Sequence, residues 1–245
     1  MKALMRWAML VVVAFVALQL FFIARIALMR VLPPGSTTFQ RSQAWRLAEL
    51  GQLGRWHRQW VPYAQISDNL KRAVIASEDD NFVNNQGVEW EAIEKAWQKN
   101  ERAEQRAEQR SARSRRPARP VKIVGGSTIS QQLAKNLFLS GERNLLRKGQ
   151  ELVLTFELEA LLGKRRILEI YLNSVEWGDG IFGAQAAAER YFRKPAARLS
   201  AYEAARLAVM LPRPRYFERV PNSGYLASRA QTIVARMRDA ELPAP

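Results

Sequence analysis

Acidic side chains are the groups in this sequence best suited to acid–base chemistry. The chain has no cysteine and a single histidine, His57, which excludes disulfides, thiolate chemistry and a histidine-rich metal site. In the segment SEDDNF, Glu78 stands beside Asp79 and Asp80 near the end of a predicted helix, with Phe82 four residues further on. The like charges, the helix dipole and the apolar ring all disfavour a charged carboxylate, so we expect a raised pKa and a general-base role for Glu78. A solvated acidic cluster at a helix end is the alternative interpretation.

A second segment, GGSTISQQLAKN, places two glycines directly before a predicted helix. Thr128 and Gln131 have the spacing of a capping box, which marks the start of that helix. The free N–H groups at its N-terminus and the hydroxyls of Ser127 and Thr128 suit a phosphate or sugar oxygen, and Lys135 follows two turns later. The same kind of helix start is common where nothing is bound, so this segment is a weak signal by itself.

The third segment, RNLLRKGQE, carries a row of charged side chains. Arg143, Arg147 and Glu151 are four residues apart, which places them along one face of a helix. Two guanidinium groups beside a carboxylate suit the binding of a pyrophosphate, because guanidinium groups pair well with phosphate oxygens. A surface ladder of opposite charges, with no ligand, is the alternative.

Composition indicates a folded, basic protein. The chain has 245 residues, of which 48% are hydrophobic, enough for one or two globular units with a core. Lys and Arg number 38 against 23 Asp and Glu, a formal charge of +15. Such an excess implies an anionic partner, which could be a membrane surface, a phosphorylated substrate or a nucleic acid.

The N-terminus is apolar enough to cross a membrane. Between residues 8 and 24 only Gln19 interrupts the apolar run, and the stem of Arg25 can extend toward the interface. Lys2 and Arg6 precede the run, so a cleaved signal peptide is the competing interpretation. We favour an uncleaved signal anchor, because the run is long and no cleavage site of the A-x-A type follows it. Basic residues flank both ends, so their charge barely decides the orientation.

The remainder of the chain has the patterns of a helical domain. Pro33 to Gly35 interrupt any helix and begin a linker. Ser67 is a candidate N-cap for a helix that ends at the acidic cluster around Glu78. Further helices are expected at 145–162 and at 200–212, and Ser200 and Glu203 form a capping-box pair at the start of the second. Alternating strand patterns are scarce.

The segment 99–122 differs from its surroundings. It carries nine basic residues against three acidic ones and almost no apolar side chains, so it cannot supply a core. We expect a solvated, partly disordered insertion, or else a basic loop that lies against anionic lipid headgroups. A nucleic-acid-binding tract is disfavoured because the chain is membrane-tethered and has no recognisable nucleic-acid-binding module.

Four segments occur in an order that resembles a known family. EDDNF, GGSTISQQLAKN, RNLLRKGQE and ILEIYLNSVEWGDGIFGAQAAAERYF are similar to the peptidoglycan glycosyltransferases, which include monofunctional biosynthetic transglycosylases and the N-terminal domains of bifunctional penicillin-binding proteins. The resemblance covers roughly Trp60 to Tyr216. No transpeptidase domain follows before Pro245, so the chain is similar to the monofunctional branch.

The resemblance implies an all-α fold in which a lysozyme-like globular lobe faces a smaller, membrane-apposed jaw lobe. The expected layout is a transmembrane signal anchor at 1–30, a linker and entry helix at 31–59, and a glycosyltransferase domain at 60–245 that contains the basic insertion 99–122. The family also implies an inner-membrane protein with a periplasmic catalytic domain.

The family substrate is lipid II, a disaccharide-pentapeptide on undecaprenyl pyrophosphate, which is polymerised into β-1,4-linked glycan. By motif position, Glu78 is the base that deprotonates the 4-hydroxyl of the acceptor, and Glu151 is a second essential carboxylate in the donor site. The side chains implied to hold the pyrophosphate are Lys135, Arg143, Arg147 and Lys148. Those implied to line the cleft are Ser127, Gln131, Gln132 and Asn136.

Cofactors and partners follow from the same resemblance. No cofactor is certain, and a divalent cation (Mg or Mn) at the donor pyrophosphate is left open. The expected partners are lipid II, the growing glycan chain and the membrane, with cell-wall synthesis or division proteins also left open and no nucleic acid.

Two features depart from the family pattern. The first family segment usually reads EDxxFxxHxG, but Asn85 stands where the histidine is expected, although Gly87 is retained. The basic insertion falls in the region of the jaw.

A peptidoglycan-cleaving hydrolase with the same lobe and an inactive membrane-bound scaffold are the rival interpretations. The cationic row around Glu151 argues against the hydrolase, since cleavage of a glycan requires no site for a diphosphate.

Overall fold

The computed structural model of the protein describes residues 1–114, 126–139, 141–142 and 144–244. Within these residues the fold is built almost wholly from helices, as expected. The helices are α1 (Lys2–Leu28), α2 (Thr38–Glu49), α3 (Asp68–Glu78), α4 (Trp90–Ser114), α5 (Ile129–Phe138), α6 (Leu145–Leu161), α7 (Lys164–Ser174), α8 (Ala184–Phe192), α9 (Ala201–Met210), α10 (Pro214–Arg219) and α11 (Gly224–Arg236).

A small sheet that the sequence did not indicate joins distant parts of the chain. Its strands are β1 (His57–Arg58), β2 (Glu176–Gly178) and β3 (Ile181–Phe182), in the order β1-β3-β2. β2 and β3 form an antiparallel hairpin, and β1 pairs with β3 in parallel. Strands of two or three residues are too short to show an alternating pattern, which is why sequence analysis could not find them.

Two groups of helices enclose the core. α3 packs against α9 and α11, whereas α5 packs against α6 and α7. The apolar positions of α5 recur at intervals of four residues, so Ile129, Leu133 and Leu137 are all fully buried. Tyr171 and Trp177 are the largest side chains that are completely enclosed. α5 is therefore held rigidly along one side, while its other side is left for polar contacts.

The sequence predicts a side-chain cap at three helix starts, and the structure has it at two of them. Thr128 and Gln131 form the expected capping box of α5, and Ser200 and Glu203 form that of α9. Ser67 does precede α3, but its side chain caps no N–H group. The Ser67 hydroxyl instead donates to the carbonyl of Leu199 at 3.1 Å. The expectation of a side-chain cap at Ser67 was wrong because a tertiary partner takes its hydroxyl.

The basic segment is more ordered at its start than we expected. α4 continues through it as far as Ser114, and the rest of the segment lies outside the described residues. Its sequence ERAEQRAEQR consists of strong helix formers, whose intrinsic preference overrides the like-charged arginine stripe. Arg102 and Arg106 are exposed on this helix.

Gly87 lets the loop after α3 pass close to α6. Its φ is +85°, in the left-handed region, and a Cβ at this position would lie 2.7 Å from Cγ of Glu159 and 2.8 Å from Cγ2 of Thr155. Both the backbone conformation and the space therefore require glycine.

We predict that Gly87→Ala lowers the free energy of unfolding by about 1–3 kcal/mol, because the added methyl group meets α6 and the φ angle is strained. Chemical denaturation in detergent measures the change. Gly149→Ala is the matched control, since Gly149 lies in a helix with open space at its Cβ, and this change should be neutral or slightly stabilising. Equal effects of the two substitutions would contradict the steric explanation.

Candidate active site

Glu78, the last residue of α3, is one end of a hydrogen-bonded chain of three side chains, which continues through Gln132 to Tyr171. Nε2 of Gln132 on α5 donates to Oε2 of Glu78 at 3.0 Å, and the Tyr171 hydroxyl on α7 donates to Oε1 of Gln132 at 2.9 Å. Burial raises the pKa of Tyr171 well above its ordinary value, so the phenol stays protonated and donates its hydrogen. The phenol thereby sets the orientation of the Gln132 amide, whose NH₂ group faces Glu78.

The pKa of Glu78 is raised, in the direction expected. Burial is the principal cause, and hydrogen bonds from Gln132 and Ser77 offset part of the rise. The neighbouring acids, which we expected to contribute, point elsewhere. Asp79 turns toward α5, and Asp80 is exposed and pairs with Arg236 at 2.9 Å. A partly exposed carboxylate with a raised pKa accepts a proton more readily than an ordinary carboxylate does.

Asp79 fastens the end of α3 to the beginning of α5. Its Oδ2 accepts the backbone N–H of Ile129, the first residue of α5, at 3.0 Å, and its Oδ1 accepts Nδ2 of Asn85 at 2.8 Å. A carboxylate is favourable at a helix N-terminus, where N–H groups are unsatisfied and the dipole is positive. Burial nevertheless raises the pKa of Asp79 to about 6. Glu78 and Asp79 thus have separate tasks, one facing Gln132 and the other capping α5.

Asn85, which stands where the resemblance implies a histidine, lies at the centre of a buried polar network. Besides donating to Asp79, it accepts at Oδ1 the N–H of Gly87 at 2.9 Å and Nζ of Lys164 at 3.0 Å. An amide can donate and accept at once without carrying charge, so it suits a position between a carboxylate and an ammonium group. Thr128 extends the network, since its hydroxyl donates to the carbonyl of Gly87 at 2.6 Å.

Lys164 and Glu159 support this loop from the side of α6 and α7. Nζ of Lys164 donates to Oε1 of Glu159 at 2.7 Å and lies 4.7 Å from the ring centroid of Phe82. The same Glu159 oxygen accepts the hydroxyl of Ser130 on α5. The loop that follows Glu78 is therefore tied to three helices by side chains that are mostly enclosed.

The charged row on α6 forms a second cluster. The carboxylate of Glu151 has only 5% of its side chain exposed, and Oε2 accepts Nη1 of Arg147 at 2.8 Å while Oε1 accepts Nζ of Lys148. Two cations share one carboxylate, so the cluster has a net positive charge. In the part of the chain that the structure describes, Nε of Arg147 is buried without a hydrogen-bond partner. This arrangement favours an anionic ligand.

The other residues assigned by motif position lie on or beside α5. Lys135 and Asn136 follow Gln132 by three and four residues and so share its face, and Lys135 is exposed. Ser127 is exposed just before the helix. Gln131 is different, because its side chain is buried and accepts the N–H of Thr128 at 3.0 Å. We had placed Gln131 in the cleft lining, but its capping role points it into the protein. Arg143 lies outside the described residues.

α5 connects the two clusters. Its Gln132 contacts Glu78, and the helix packs along α6, which carries Glu151.

Sequence analysis missed Tyr171 and Lys164, although both stand in or next to the similar segment ILEIYLN. Their partners come from distant helices, so spacing alone could not have identified them. Chemically, the site offers a base with a raised pKa and a separate cationic cluster for an anion.

We predict that Asn85→Ala lowers the free energy of unfolding by about 1–3 kcal/mol, because Asp79 loses a donor and Lys164 an acceptor in a buried position. Asn84→Ala, a change at the exposed neighbour, is the matched control and should stay within about 0.5 kcal/mol of the wild type. Denaturation curves of the two variants test this. Equal stabilities would show that Asn85 does not hold the loop.

Comparison with known proteins gives a consistent result. A family model described as transglycosylase matches residues 46–238. A biosynthetic peptidoglycan transglycosylase of Burkholderia thailandensis is 54% identical over 231 residues, which cover 94% of this chain and 84% of the relative. The protein of the same name from Burkholderia pseudomallei has the same identity and coverage, and that of Burkholderia orbicola is 53% identical over 94% of this chain and 87% of its own. With more than half of its length matched by the family model, the chain belongs to the transglycosylase family.

Proposed function

We propose that this transglycosylase is a peptidoglycan glycosyltransferase that polymerises lipid II into β-1,4-linked glycan during cell-wall synthesis. The observation that carries the proposal is the separation of two carboxylates by environment. Glu78 has a raised pKa and one amide donor, whereas Glu151 is neutralised by Arg147 and Lys148. The first environment suits a base and the second suits the binding of a diphosphate. The names of the relatives agree with this activity.

In the proposed reaction, Glu78 takes the proton of the acceptor 4-hydroxyl as that oxygen attacks the anomeric carbon of the donor sugar. The new C–O bond forms on the face opposite the departing oxygen, so the configuration inverts to β. The bond between the anomeric carbon and the lipid pyrophosphate breaks, and its electron pair leaves with the diphosphate. Gln132 keeps Glu78 oriented toward the acceptor throughout, because Tyr171 fixes the amide.

Arg147 and Lys148 supply positive charge for the departing diphosphate, with Glu151 holding both side chains in place. The described residues include no group of three or more His, Asp or Glu side chains that could hold a metal ion. If a divalent cation takes part, we therefore propose that the diphosphate supplies most of its ligands, since Mg²⁺ commonly binds in this way.

We further propose that α1 is an uncleaved anchor in the inner membrane, with the catalytic domain on the periplasmic side. α1 is long and apolar enough to cross a membrane. Its last turn also belongs to the core, because Ile26 is completely buried and the carbonyl of Met29 accepts Nε of Arg166 at 2.7 Å. Removal of a signal peptide would expose this part of the core, which supports retention of the segment.

We predict that Glu78→Gln lowers polymerisation of labelled lipid II by roughly 10²- to 10⁴-fold, because glutamine keeps the hydrogen bond but accepts no proton. Binding of lipid II should mostly survive. Asp80→Asn is the control, since the exposed Asp80 contacts Arg236 rather than the site, and it should retain wild-type turnover. Near wild-type synthesis by Glu78→Gln would reject the assignment of the base. Release of sugar fragments from preformed peptidoglycan would place the protein among the hydrolases.

The raised pKa of Glu78 also predicts two pH effects. Turnover of the wild type should fall as the pH drops through the pKa of Glu78, because the base becomes protonated. Stability should change in the opposite sense. The folded state binds the proton more tightly than the unfolded state, so the stability of the wild type declines as pH rises from the unfolded to the folded pKa. Glu78→Gln should therefore be more stable than the wild type at neutral pH, and this gain should shrink in acid; thermal melts across pH provide the measurement.

The exposed arginines of α4 allow a test of membrane contact by the basic segment. A fluorophore on Gln105→Cys, in a chain without other cysteines, should shift its emission in anionic but not zwitterionic proteoliposomes. High salt should remove the shift, since each charge near the surface contributes about 1 kcal/mol of screened attraction. Adding Arg102→Gln and Arg106→Gln should abolish it. No shift in anionic vesicles would support the solvated alternative.

A further inference from the structure

The anchor helix α1 is packed onto the catalytic domain over its last three turns. Phe22 meets Phe138 of α5 edge to face, with ring centroids 5.2 Å apart, and the Arg25 guanidinium lies 5.3 Å from the same ring. Ile26, the residue after Arg25, is completely buried. This half of α1 therefore forms part of the domain, while the first half is exposed along its length.

Gln19 is the only polar side chain of α1 between Arg6 and Arg25. It forms two hydrogen bonds with Gln150 of α6, in which each amide donates to the other, at 3.3 and 3.0 Å. An amide close to the acyl chains finds little water to satisfy it, so a protein partner is preferred there. The reciprocal geometry uses one donor and one acceptor on each side, which selects a single rotation and a single register of the two helices.

The contacts also set the direction and level of α6. Gln150 meets Gln19, and Arg166, just beyond α6, meets Met29, so α6 and the anchor run in the same direction. Gln19 precedes Arg25 by six residues, about 9 Å along a helix. Placing the Gln19–Gln150 pair at the boundary between headgroups and acyl chains puts Arg25 in the headgroup layer, Glu151 at the boundary and Leu145 on the side of the acyl chains. Leu145, 90% exposed, fits such surroundings.

Glu151 follows Gln150 directly, so its side chain projects from the same helix about 100° around the axis. Arg147 and Lys148, which hold Glu151, lie on the preceding turn. A shift of α6 along the anchor would raise or lower this whole cationic cluster relative to the lipid surface. The pyrophosphate of a lipid-linked sugar lies at the headgroup level, so the depth of the cluster matters for meeting it.

We propose that Gln19 and Gln150 form an amide clamp at the boundary between headgroups and acyl chains, which sets the depth of α6 and so positions the donor-site cluster at the level of the lipid pyrophosphate. Gln19 and Gln150 are positioning residues in this scheme, since neither belongs to the reacting set. The part that concerns the donor lipid rests on the proposed function, whereas the docking of the anchor is independent of it.

Cysteine cross-linking tests the docking without any activity measurement, because the chain has no native cysteine. In native membranes, a bifunctional thiol-specific reagent with a short spacer should join Gln19→Cys to Gln150→Cys within one chain, because a spacer of that kind replaces the reach of the two glutamine side chains. Ala17→Cys with Gln150→Cys is the matched control, because Ala17 lies on another side of α1 and is exposed; it should not cross-link. Equal cross-linking of both pairs, or of neither, would overturn the clamp.

Kinetics in proteoliposomes test the effect on the donor site. Gln19→Leu and Gln150→Leu should each raise the KM for lipid II by roughly 3- to 20-fold, the range that interhelical hydrogen bonds support, with kcat nearly unchanged. The double Leu variant removes both amides and replaces them with an apolar contact. If the amides only stabilise the packing of the two helices, this variant should have the wild-type KM. If the clamp sets depth, the double variant keeps a raised KM, and a wild-type KM would overturn the proposal. A wild type that makes no glycan in detergent or in vesicles would instead reject the proposed function and leave the cross-linking result standing.

Discussion

Asp79 joins two helices that are far apart in the sequence, and the geometry of the site depends on that contact. Its carboxylate accepts the first N–H of α5 and the amide of Asn85, so the end of α3 and the start of α5 are fixed relative to each other. Gln132 on α5 then meets Glu78 on α3. Had Asp79 been free, the buried N–H of Ile129 would lack a partner and the base would lack a defined neighbour.

Burial of carboxylates is unfavourable for folding but useful for chemistry. Glu78 and Asp79 both have raised pKa values because they are largely removed from water. Around Asp79 that cost is limited by hydrogen bonds donated by the N–H of Ile129 and the amide of Asn85, and by the positive charge of Lys164. Asn85 suits this role, since a neutral amide bridges a carboxylate and an ammonium group without carrying charge itself.

α1, which is apolar enough to cross a membrane, also contributes to the fold. Ile26 and Met29 complete the core, and the aromatic contact of Phe22 with Phe138 joins α1 to the end of α5. Because α5 also carries Gln132, α1 and Glu78 are linked through one rigid helix. Under the proposed function, this linkage holds Glu78 at a constant height above the bilayer that carries the substrate.

The sequence alone determined the helical class, the apolar span, the capping boxes at Thr128 and Ser200 and the family, because each depends on local spacing or on an ordered set of segments. It also singled out Glu78 and Glu151 as candidate site residues, and their catalytic roles stay predictions. Only the tertiary structure decided that burial rather than Asp80 raises the pKa of Glu78, that Gln131 points inward and that Ser67 bonds to Leu199. These outcomes depend on which distant side chains meet, as do the contacts of Tyr171, Lys164 and Gln150. Spacing along one helix carries no information about the partner that another helix brings to it.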